Sequence, residues 1–316
     1  MKKLILSAAA CLMLFSCQNE QNESTNEPAT AATQRKCASQ DVLEAQLKAD
    51  PTLAIRMNEI EAFTQKAMLT KRLVNGKIEI PVVVNVLYRT TAENISATQI
   101  QSQIDVLNKD FNALNSDYNS VPALFSGVKA NVGITFVLDQ VVRKSTTKTS
   151  WGTNDAMKKT SSGGLAPISP TTKLNLWVCT IGGGILGYAQ FPGGSSATDG
   201  VAIDSKYVGL SGTANAPYNL GRTATHEVGH WMNLRHIWGD ANCGSDLVSD
   251  TPTHNTSNFG VPAYPHYSTC TGTPVEMTMN YMDYTDDRGM YMFSTGQKSR
   301  MSAIFLSGGS RASFRL

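Results

Sequence analysis

The stretch 226–236, with the sequence HEVGHWMNLRH, decides both the fold and the chemistry of this chain. It contains three of the five histidines, at positions i, i+4 and i+10, and a glutamate directly follows the first. On an α-helix the side chains of His226 and His230 project from one face, one turn apart. Two imidazoles in this arrangement can hold one Zn²⁺, and Glu227 then lies close enough to accept a proton from water that the metal activates.

The third histidine can reach the same ion only if the helix ends before it. A continuous helix would carry His236 about 15 Å along the axis and rotate it away from the zinc-binding face. Asn233 is the residue best placed for the turn, because asparagine tolerates a left-handed backbone and terminates helices. We therefore predict that the helix ends at Asn233 and that His226, His230 and His236 bind one catalytic zinc ion. The alternative, a surface helix that contains histidines by chance, does not explain the third histidine.

The stretch resembles the HExxHxxGxxH pattern of the metzincin metalloproteases, with Asn233 in place of the glycine. Three segments extend the resemblance to the pappalysins, and in particular to their bacterial cytophagalysin-like branch. They are GYAQFPGG (187–194), APYNLGRTATHEVGHWMNLRHIWGD (216–240) and MTMNYMDYTDDRGMYMFSTGQKSRM (277–301). The resemblance runs from about Cys37 to the C-terminus. It implies an α+β metzincin zinc-protease fold: a twisted mixed five-stranded sheet with a backing helix, an active-site helix above the cleft, and an irregular lower subdomain with a C-terminal helix.

Composition and charge limit the classes of function. The 316 residues are 41% hydrophobic and 16% charged, which suffices for one well-buried catalytic domain with small additions. The net charge of +2 argues against a nucleic-acid partner, because such proteins bind through a strongly basic surface. We expect a monomer whose partner is a protein or peptide substrate.

The N-terminus predicts export. Residues 1–17 have the basic start, the apolar middle and the small residues of a secretory signal peptide. They end in Leu-Phe-Ser-Cys, which resembles a bacterial lipobox, so we predict that Cys17 is lipidated and that this lipid is the contact with a membrane. The alternative is an ordinary cleavage site in which Cys17 is incidental. The protein is thus expected to be a bacterial cell-envelope lipoprotein or to be secreted.

Two segments precede the catalytic domain, which we place at 73–316. Residues 18–36 are polar and aperiodic and are predicted to form a flexible tether. Residues 37–72 have helical periodicity and resemble the family's pro-segment, in which an early cysteine caps the catalytic zinc of a latent zymogen. Cys37 matches that cysteine, and a thiolate is a good zinc ligand. The alternative is a disulfide between Cys37 and Cys179.

The catalytic domain alternates strand and helix patterns. The β-branched run 80–88 predicts a buried strand, and apolar residues spaced by three and four predict a backing helix that begins after Ser96. The region 144–170, rich in Ser, Thr, Lys and Gly, predicts a surface excursion. Further strands are predicted at 134–143, 174–181 and 199–208, and a C-terminal helix is predicted after Ser294.

The glycine-rich segment 182–194 bears on how substrate is bound. Its position matches the metzincin edge strand above the cleft, and the resemblance implies that this strand pairs with an extended protein or peptide substrate. The alternative is a glycine-rich turn between two strands.

The resemblance also assigns crosslinks and a second ion to the chain after His236. Cys243 and Cys270 match a disulfide of the family, and export favours their pairing. A second family crosslink falls at Val261 and Gly289, so both of its cysteines are absent and the lower half is expected to be looser. Relatives bind calcium where Asp246, Asp250 and Thr251 offer oxygen ligands, so Ca²⁺ is predicted there; a solvated acidic loop is the alternative.

The segment after these loops supplies the base of the site. Met282 resembles the methionine of the Met-turn, an apolar base beneath the three histidines. Tyr284 matches a tyrosine that donates a hydrogen bond to the developing oxyanion; the alternative is a half-buried structural tyrosine. Arg288 occupies the place of an acid that, in one branch of the family, selects basic side chains after the scissile bond. We therefore hypothesise that this protein does not prefer Arg or Lys at that position.

These features predict an exported zinc-dependent endopeptidase in which Glu227 acts as general base and then as general acid. One rival is a non-catalytic surface lipoprotein that binds protein partners on a metzincin scaffold, but such a protein would be expected to have lost Glu227 or a histidine. A second rival is a structural zinc module, which would use four protein ligands of the mature domain. His254 and His266 have no partner at metal-binding spacing and are expected to be ordinary surface or loop residues.

Overall fold

The computed structural model describes residues 34–69 and 78–314. The predicted signal peptide, the lipidation site Cys17, most of the predicted tether and an activation cleavage expected near Lys71 and Arg72 lie outside these residues. Within the described part, no helix combines the length and the apolar character that a membrane span requires.

Seven strands and six α-helices make up the described chain. The strands are β1 Ile78–Tyr88, β2 Lys129–Ala130, β3 Ile134–Ser145, β4 Leu174–Cys179, β5 Gly187–Ala189, β6 Val201–Asp204 and β7 Phe293–Ser294. The helices are α1 Ser39–Ala49, α2 Thr52–Leu69, α3 Ala97–Phe111, α4 Ala123–Ser126, α5 Arg222–Trp231 and α6 Thr295–Ala303.

Five of the strands form one mixed sheet in the order β3-β1-β4-β6-β5. The pairs β1–β3, β1–β4 and β4–β6 are parallel, whereas β5 is antiparallel to β6 and lies at the edge of the sheet. The glycine-rich segment therefore supplies an edge strand, as predicted, and the mixed five-stranded sheet is confirmed. Parallel strands covered on both faces explain the continuous β-branched run of β1.

Helix α3 backs the sheet. The Ser96 hydroxyl accepts a hydrogen bond from the Gln99 amide, which is the predicted N-cap. The buried face consists of the residues expected from the spacing, namely Ile100, Ile104, Leu107 and Phe111. The helix ends at Phe111, however, and Leu114 is 71% exposed, so it does not belong to that face.

The region 144–170 is more than the surface excursion that its composition predicts. Trp151 and Met157 are buried and form a second hydrophobic cluster with Trp177 and Tyr188, separate from the main core. The prediction was wrong here because a few large apolar side chains, scattered among many polar residues, are enough to anchor a loop.

The predicted pro-segment, as far as it is described, packs over the predicted catalytic domain. Helix α2 contacts α6, and α1 contacts both α2 and β5. The predicted tether is corrected at its C-terminal end, because Arg35 is 1% exposed and its guanidinium is fully engaged with the catalytic domain.

The lower part of the molecule has little regular structure, as expected. It contains the short ladder β2–β7 and helix α6, which begins with a capping box between Ser294 and Gln297. Cys243 and Cys270 form a disulfide. The positions of the missing second crosslink face each other, since a Cβ built on Gly289 would lie 3.3 Å from Val261 Cγ2.

Candidate active site

Helix α5 carries the first two histidines and ends where the sequence predicts. All ten of its residues are buried. Asn233 adopts a left-handed backbone with φ of 73°, and the Leu234 amide donates to the Gly229 carbonyl oxygen at 2.9 Å, which closes the helix end. The chain then reverses, and His236 returns to the face occupied by His226 and His230.

The ring nitrogens of the three histidines have a defined arrangement. Each Nδ1 faces an acceptor: the Tyr281 carbonyl oxygen for His226 at 2.7 Å, the Leu234 carbonyl oxygen for His230 at 2.8 Å, and the Asp240 carboxylate for His236 at 2.5 Å. Each Nδ1 therefore carries its proton, and each Nε2 turns a lone pair inward.

These inward lone pairs indicate a cation. The Nε2 atom of His230 lies 3.2 Å from that of His226 and 3.1 Å from that of His236. Three acceptors this close repel one another unless a positive charge lies between them. Burial lowers the pKa of His226 well below its ordinary value and that of His230 to about 3, so both imidazoles stay neutral, the form that binds metal.

Cys37 completes a tetrad of donors. Its Sγ and one ring nitrogen from each histidine all lie within 4.8 Å of one another. Among the described residues Cys37 and Cys179 are both free thiols, so the alternative disulfide does not form here. Burial, and next the Glu227 charge, raise the pKa of the Cys37 thiol well above its usual value, so a thiolate at this position requires a cation beside it. Three imidazoles and one thiol are a donor set that fits Zn²⁺.

Glu227 points into the same space. It is 1% exposed, and burial raises the pKa of its carboxyl to about 7. Its Oε2 accepts hydrogen bonds from the Ser39 hydroxyl at 2.8 Å and from Cys37 Sγ at 3.3 Å. The Ser39 hydroxyl also accepts from the Ala189 amide of β5 at 2.8 Å. The sequence offered no signal for Ser39.

Met282 and Tyr284 lie at the expected places beneath and beside the histidines. Met282 is fully buried against α5, and a Cβ built on Gly229 would come within 2.5 Å of its Sδ, so a larger residue at position 229 would require the methionine side chain to shift. The Tyr284 hydroxyl donates to the Cys37 carbonyl oxygen at 3.1 Å, and its ring centroid lies 4.9 Å from that of His236.

Arg35 fills a pocket on the other side of Cys37 from Ser39. Its guanidinium donates to Asp287 Oδ1 at 2.6 Å, to the Thr285 carbonyl oxygen at 3.1 Å and to the Thr223 hydroxyl at 3.3 Å. Asp287 is completely buried, and its Oδ2 accepts from the Leu220 amide at 2.7 Å, just before the zinc helix.

Arg288, the residue predicted to influence specificity, lies next to Asp287 but outside this pocket. Arg288 is exposed, whereas its neighbour Asp287 faces the site.

The residues predicted to bind calcium and the remaining histidines have ordinary hydrogen-bond partners. The Thr251 hydroxyl lies 2.9 Å from both Asp246 carboxylate oxygens, while Asp250 accepts from the Ser294 hydroxyl at 2.6 Å and the Gly296 amide at 2.8 Å, at the start of α6. His254 is not a surface residue: it is fully buried, and its Nε2 accepts from the Met277 amide at 2.9 Å. His266 pairs with Glu276 at 3.0 Å.

A metal-facing histidine triad, a carboxylate between the first two ligands and an edge strand beside them define a zinc metallopeptidase site. A family model described as pregnancy-associated plasma protein-A, of peptidase group M43, matches residues 178–306. Extracellular metalloprotease 1 of Coccidioides posadasii is 32% identical over 263 residues, covering 78% of this chain and 84% of its own length.

Two solved structures agree with these matches. Mature mirolysin of Tannerella forsythia, in complex with a cleaved peptide, is 42% identical and has a TM-score of 0.75, covering 77% of this chain and 97% of that one. A promirolysin mutant of the same organism is 38% identical and has a TM-score of 0.82, covering 89% of this chain and 97% of that one. The chain therefore belongs to the pappalysin family of metzincin metalloproteases, and it is a metalloprotease.

Proposed function

We propose that this protein is an exported zinc endopeptidase that is made as a latent zymogen. The observation that carries the proposal is the convergence of Cys37 Sγ and one nitrogen each of His226, His230 and His236 within 4.8 Å, beside Glu227. Export is supported by relatives that are named extracellular metalloproteases. Latency is supported by the promirolysin structure, which covers more of this chain than mature mirolysin does.

In the proposed mechanism His226, His230 and His236 would hold the zinc, and removal of residues 37–72 would take the Cys37 thiol out of the site. When bound, the ion would supply Lewis-acid chemistry to a water molecule and to the scissile carbonyl. Glu227, freed from Ser39, accepts a proton from the attacking water and delivers it to the leaving amine. Tyr284, freed from the Cys37 carbonyl oxygen, donates its hydroxyl proton in a hydrogen bond to the oxyanion.

The decisive experiment compares the wild type with Glu227→Gln after trypsin has cut the zymogen and has been inhibited. Glu227→Gln should retain zinc, measured by metal analysis, but should lower kcat on a peptide library by about 10²–10⁴-fold, because proton transfer is lost. Glu79→Gln on β1 is the matched control. A non-catalytic binding scaffold predicts no cleavage by the wild type. If the site were a structural zinc module, the mature domain would supply four zinc ligands. The fourth donor here is Cys37, which lies in the proposed pro-segment.

We also propose that the pocket holding Arg35 accepts an Arg or Lys side chain of the substrate after the scissile bond. The support is the buried Asp287 carboxylate, 2.6 Å from the Arg35 guanidinium. This replaces the hypothesis that basic residues are not preferred. Cleavage-site profiling of the mature enzyme should return mostly Arg and Lys, and Asp287→Asn should weaken that preference by about tenfold or more, since hydrogen bonds to a charged group exceed neutral ones. Asp286→Asn is the control, and an unselective wild type would refute the proposal.

Two further proposals concern the termini and a second ion. Lipidation of Cys17 as an envelope anchor is supported by the lipobox-like sequence, and incorporation of a fatty-acid analogue that persists in Cys17→Ser would exclude it. Calcium at Asp246, Asp250 and Thr251 is supported by clustered oxygen atoms, although each carboxylate already has donors. A melting temperature that does not respond to added calcium, with zinc in place, would exclude it.

A further inference from the structure

Helix α2, in the proposed pro-segment, carries Glu61, which forms an ion pair with the buried Arg300 of α6. The Arg300 side chain, on α6, is 1% exposed and directs its Nη1 and Nη2 atoms at the Glu61 carboxylate, at 2.9 and 2.5 Å. Its Nε donates to the Asn233 carbonyl oxygen at 2.7 Å. Loss of the pro-segment would therefore remove both acceptors of the terminal nitrogens and leave the guanidinium held in place through Nε.

The path of the pro-segment places this guanidinium along the substrate route. From Cys37 the chain follows β5: the Ala38 amide donates to the Gly187 carbonyl oxygen at 3.1 Å, and the Ser39 hydroxyl accepts from the Ala189 amide. Just beyond β5, the Phe191 ring lies 5.3 Å from the ring of His230.

A cavity of about 290 Å³ opens at this point, between the catalytic domain and the pro-segment helices. On the catalytic side it is lined by Phe191, Pro192, Asn233, Arg235 and Arg300. Because Phe191 follows β5 and lines the same cavity as Arg300, a chain that pairs with β5 and continues past Ala189 would approach Arg300. The Asp287 pocket is filled from the other direction, by Arg35 on the N-terminal side of Cys37. If that pocket takes the residue after the scissile bond, this cavity takes residues before it.

The contacts of Glu61 indicate that this cavity binds a carboxylate. Burial alone would raise the pKa of the Glu61 carboxyl, but hydrogen bonds and charge from Arg300, together with the charge of Arg235, hold it below its usual value. Two guanidinium groups therefore act on one carboxylate. The planar fork of Arg300 matches a carboxylate in a bidentate manner, and its Nε bond fixes the fork before a ligand arrives.

We infer that Arg300, with Arg235, forms a carboxylate-binding subsite in the mature enzyme, which selects substrates with an acidic side chain before the scissile bond. In the zymogen Glu61 occupies this subsite. The inference rests on the proposed function, because it requires a removable pro-segment and a peptide substrate. No property of the metal enters it.

The test uses mature enzyme and internally quenched peptides with a fixed Arg after the scissile bond. Each of the five positions before that bond carries Glu, Gln or Lys in turn. The wild type should cleave the Glu peptide at one position with about tenfold higher kcat/KM than its Gln counterpart, chiefly through KM, and the ratio should fall as salt rises. In Arg300→Gln the ratio should approach one.

The ratio of kcat/KM for the Glu peptide to that for the Gln peptide is taken within each variant. A general loss of activity or of zinc lowers both values equally and therefore does not change the ratio. Lys298→Gln, on the same helix, removes an equal charge and should keep the ratio. Arg235→Gln should lower it by about threefold, and it serves in place of Arg300→Gln if that protein does not fold. A wild-type ratio near one at every position, or a ratio that survives both arginine substitutions, overturns the inference while cleavage itself upholds the proposed function. Failure of the wild type to cleave any peptide would instead overturn the proposed function.

Discussion

Single residues set the geometry of this site. Substitutions of Asn233 can test whether its backbone conformation or its side chain is what matters. Its φ of 73° lies in the left-handed region. This conformation costs a residue with a Cβ about 1–2 kcal/mol, and the cost is smallest for asparagine among such residues. For glycine the cost is almost zero. The reversal of the chain after His230 depends on this conformation.

We expect Asn233→Gly to keep zinc and activity close to wild-type values, whereas Asn233→Val should weaken zinc binding by about tenfold or more. The β-branched side chain opposes the left-handed backbone that returns His236 to the metal. Zinc content after dialysis against graded chelator concentrations is the measurement. Equal zinc retention by the valine and glycine variants would show that the turn does not depend on this conformation.

Sequence reasoning succeeded for residues whose geometry is local. The positions of the three histidines and Asn233 follow from the periodicity of one helix and its termination. Arg35, Ser39 and Asp287 were missed because their contacts join distant parts of the chain: Arg35 and Asp287 are 252 residues apart, and Ser39 and Glu227 are 188. Such contacts leave no periodic signal in the sequence. The sequence alone therefore does not show whether a polar segment or a single serine is buried or exposed.

At the scale of elements, the proposed pro-segment contacts the edge strand β5 and the candidate site at several points. Cys37 faces the histidines, Ser39 bonds to both Glu227 and the Ala189 amide, and Arg35 occupies the Asp287 pocket. Removal of the thiol alone leaves the Glu227 carboxylate and the edge strand hydrogen-bonded to Ser39.

The uncut Cys37→Ala zymogen should therefore show only part of the mature activity, and Cys37→Ala with Ser39→Ala should show several-fold more. Each neutral hydrogen bond of Ser39 is worth about 1 kcal/mol, or roughly fivefold in the open population. Initial cleavage of a short peptide, with intact zymogen verified by mass spectrometry, is the measurement, and Ser39→Thr is the conservative control. Full activity of Cys37→Ala alone would show that Ser39 contributes nothing to latency.

The elements themselves were mostly predictable, but their directions were not. The Ser96 cap and the helix after Ser294 were found from local residue patterns, and the first strand was found from a continuous β-branched run. The edge strand β5 was expected from the family resemblance. The periodicity of a strand is the same in either orientation, so the parallel pairing of β1, β4 and β6 could not be read from it.

For the whole molecule, the lower half depends on one disulfide, between Cys243 and Cys270, within a region of sparse secondary structure. Val261 and Gly289 lie opposite each other without a covalent link, with 3.3 Å between Val261 Cγ2 and a Cβ built on Gly289.

The double variant Val261→Cys with Gly289→Cys should therefore form a second disulfide. Closing a loop of this size constrains the unfolded chain by up to about 3–4 kcal/mol, so the melting temperature of the oxidised protein should rise by several degrees. Melting under oxidising and reducing conditions gives the comparison, with the single variants as controls. A free-thiol count in the purified double variant that exceeds the wild-type count by two would mean that the positions do not meet.

The five residues Arg35 to Ser39, Arg-Lys-Cys-Ala-Ser, contact the three clustered histidines, the proposed general base, the proposed oxyanion donor and the Asp287 pocket at once. These residues therefore form a peptide template for an inhibitor of the enzyme. A selective inhibitor could keep the guanidine, the thiol and the hydroxyl at their present spacing and omit the rest of the pentapeptide.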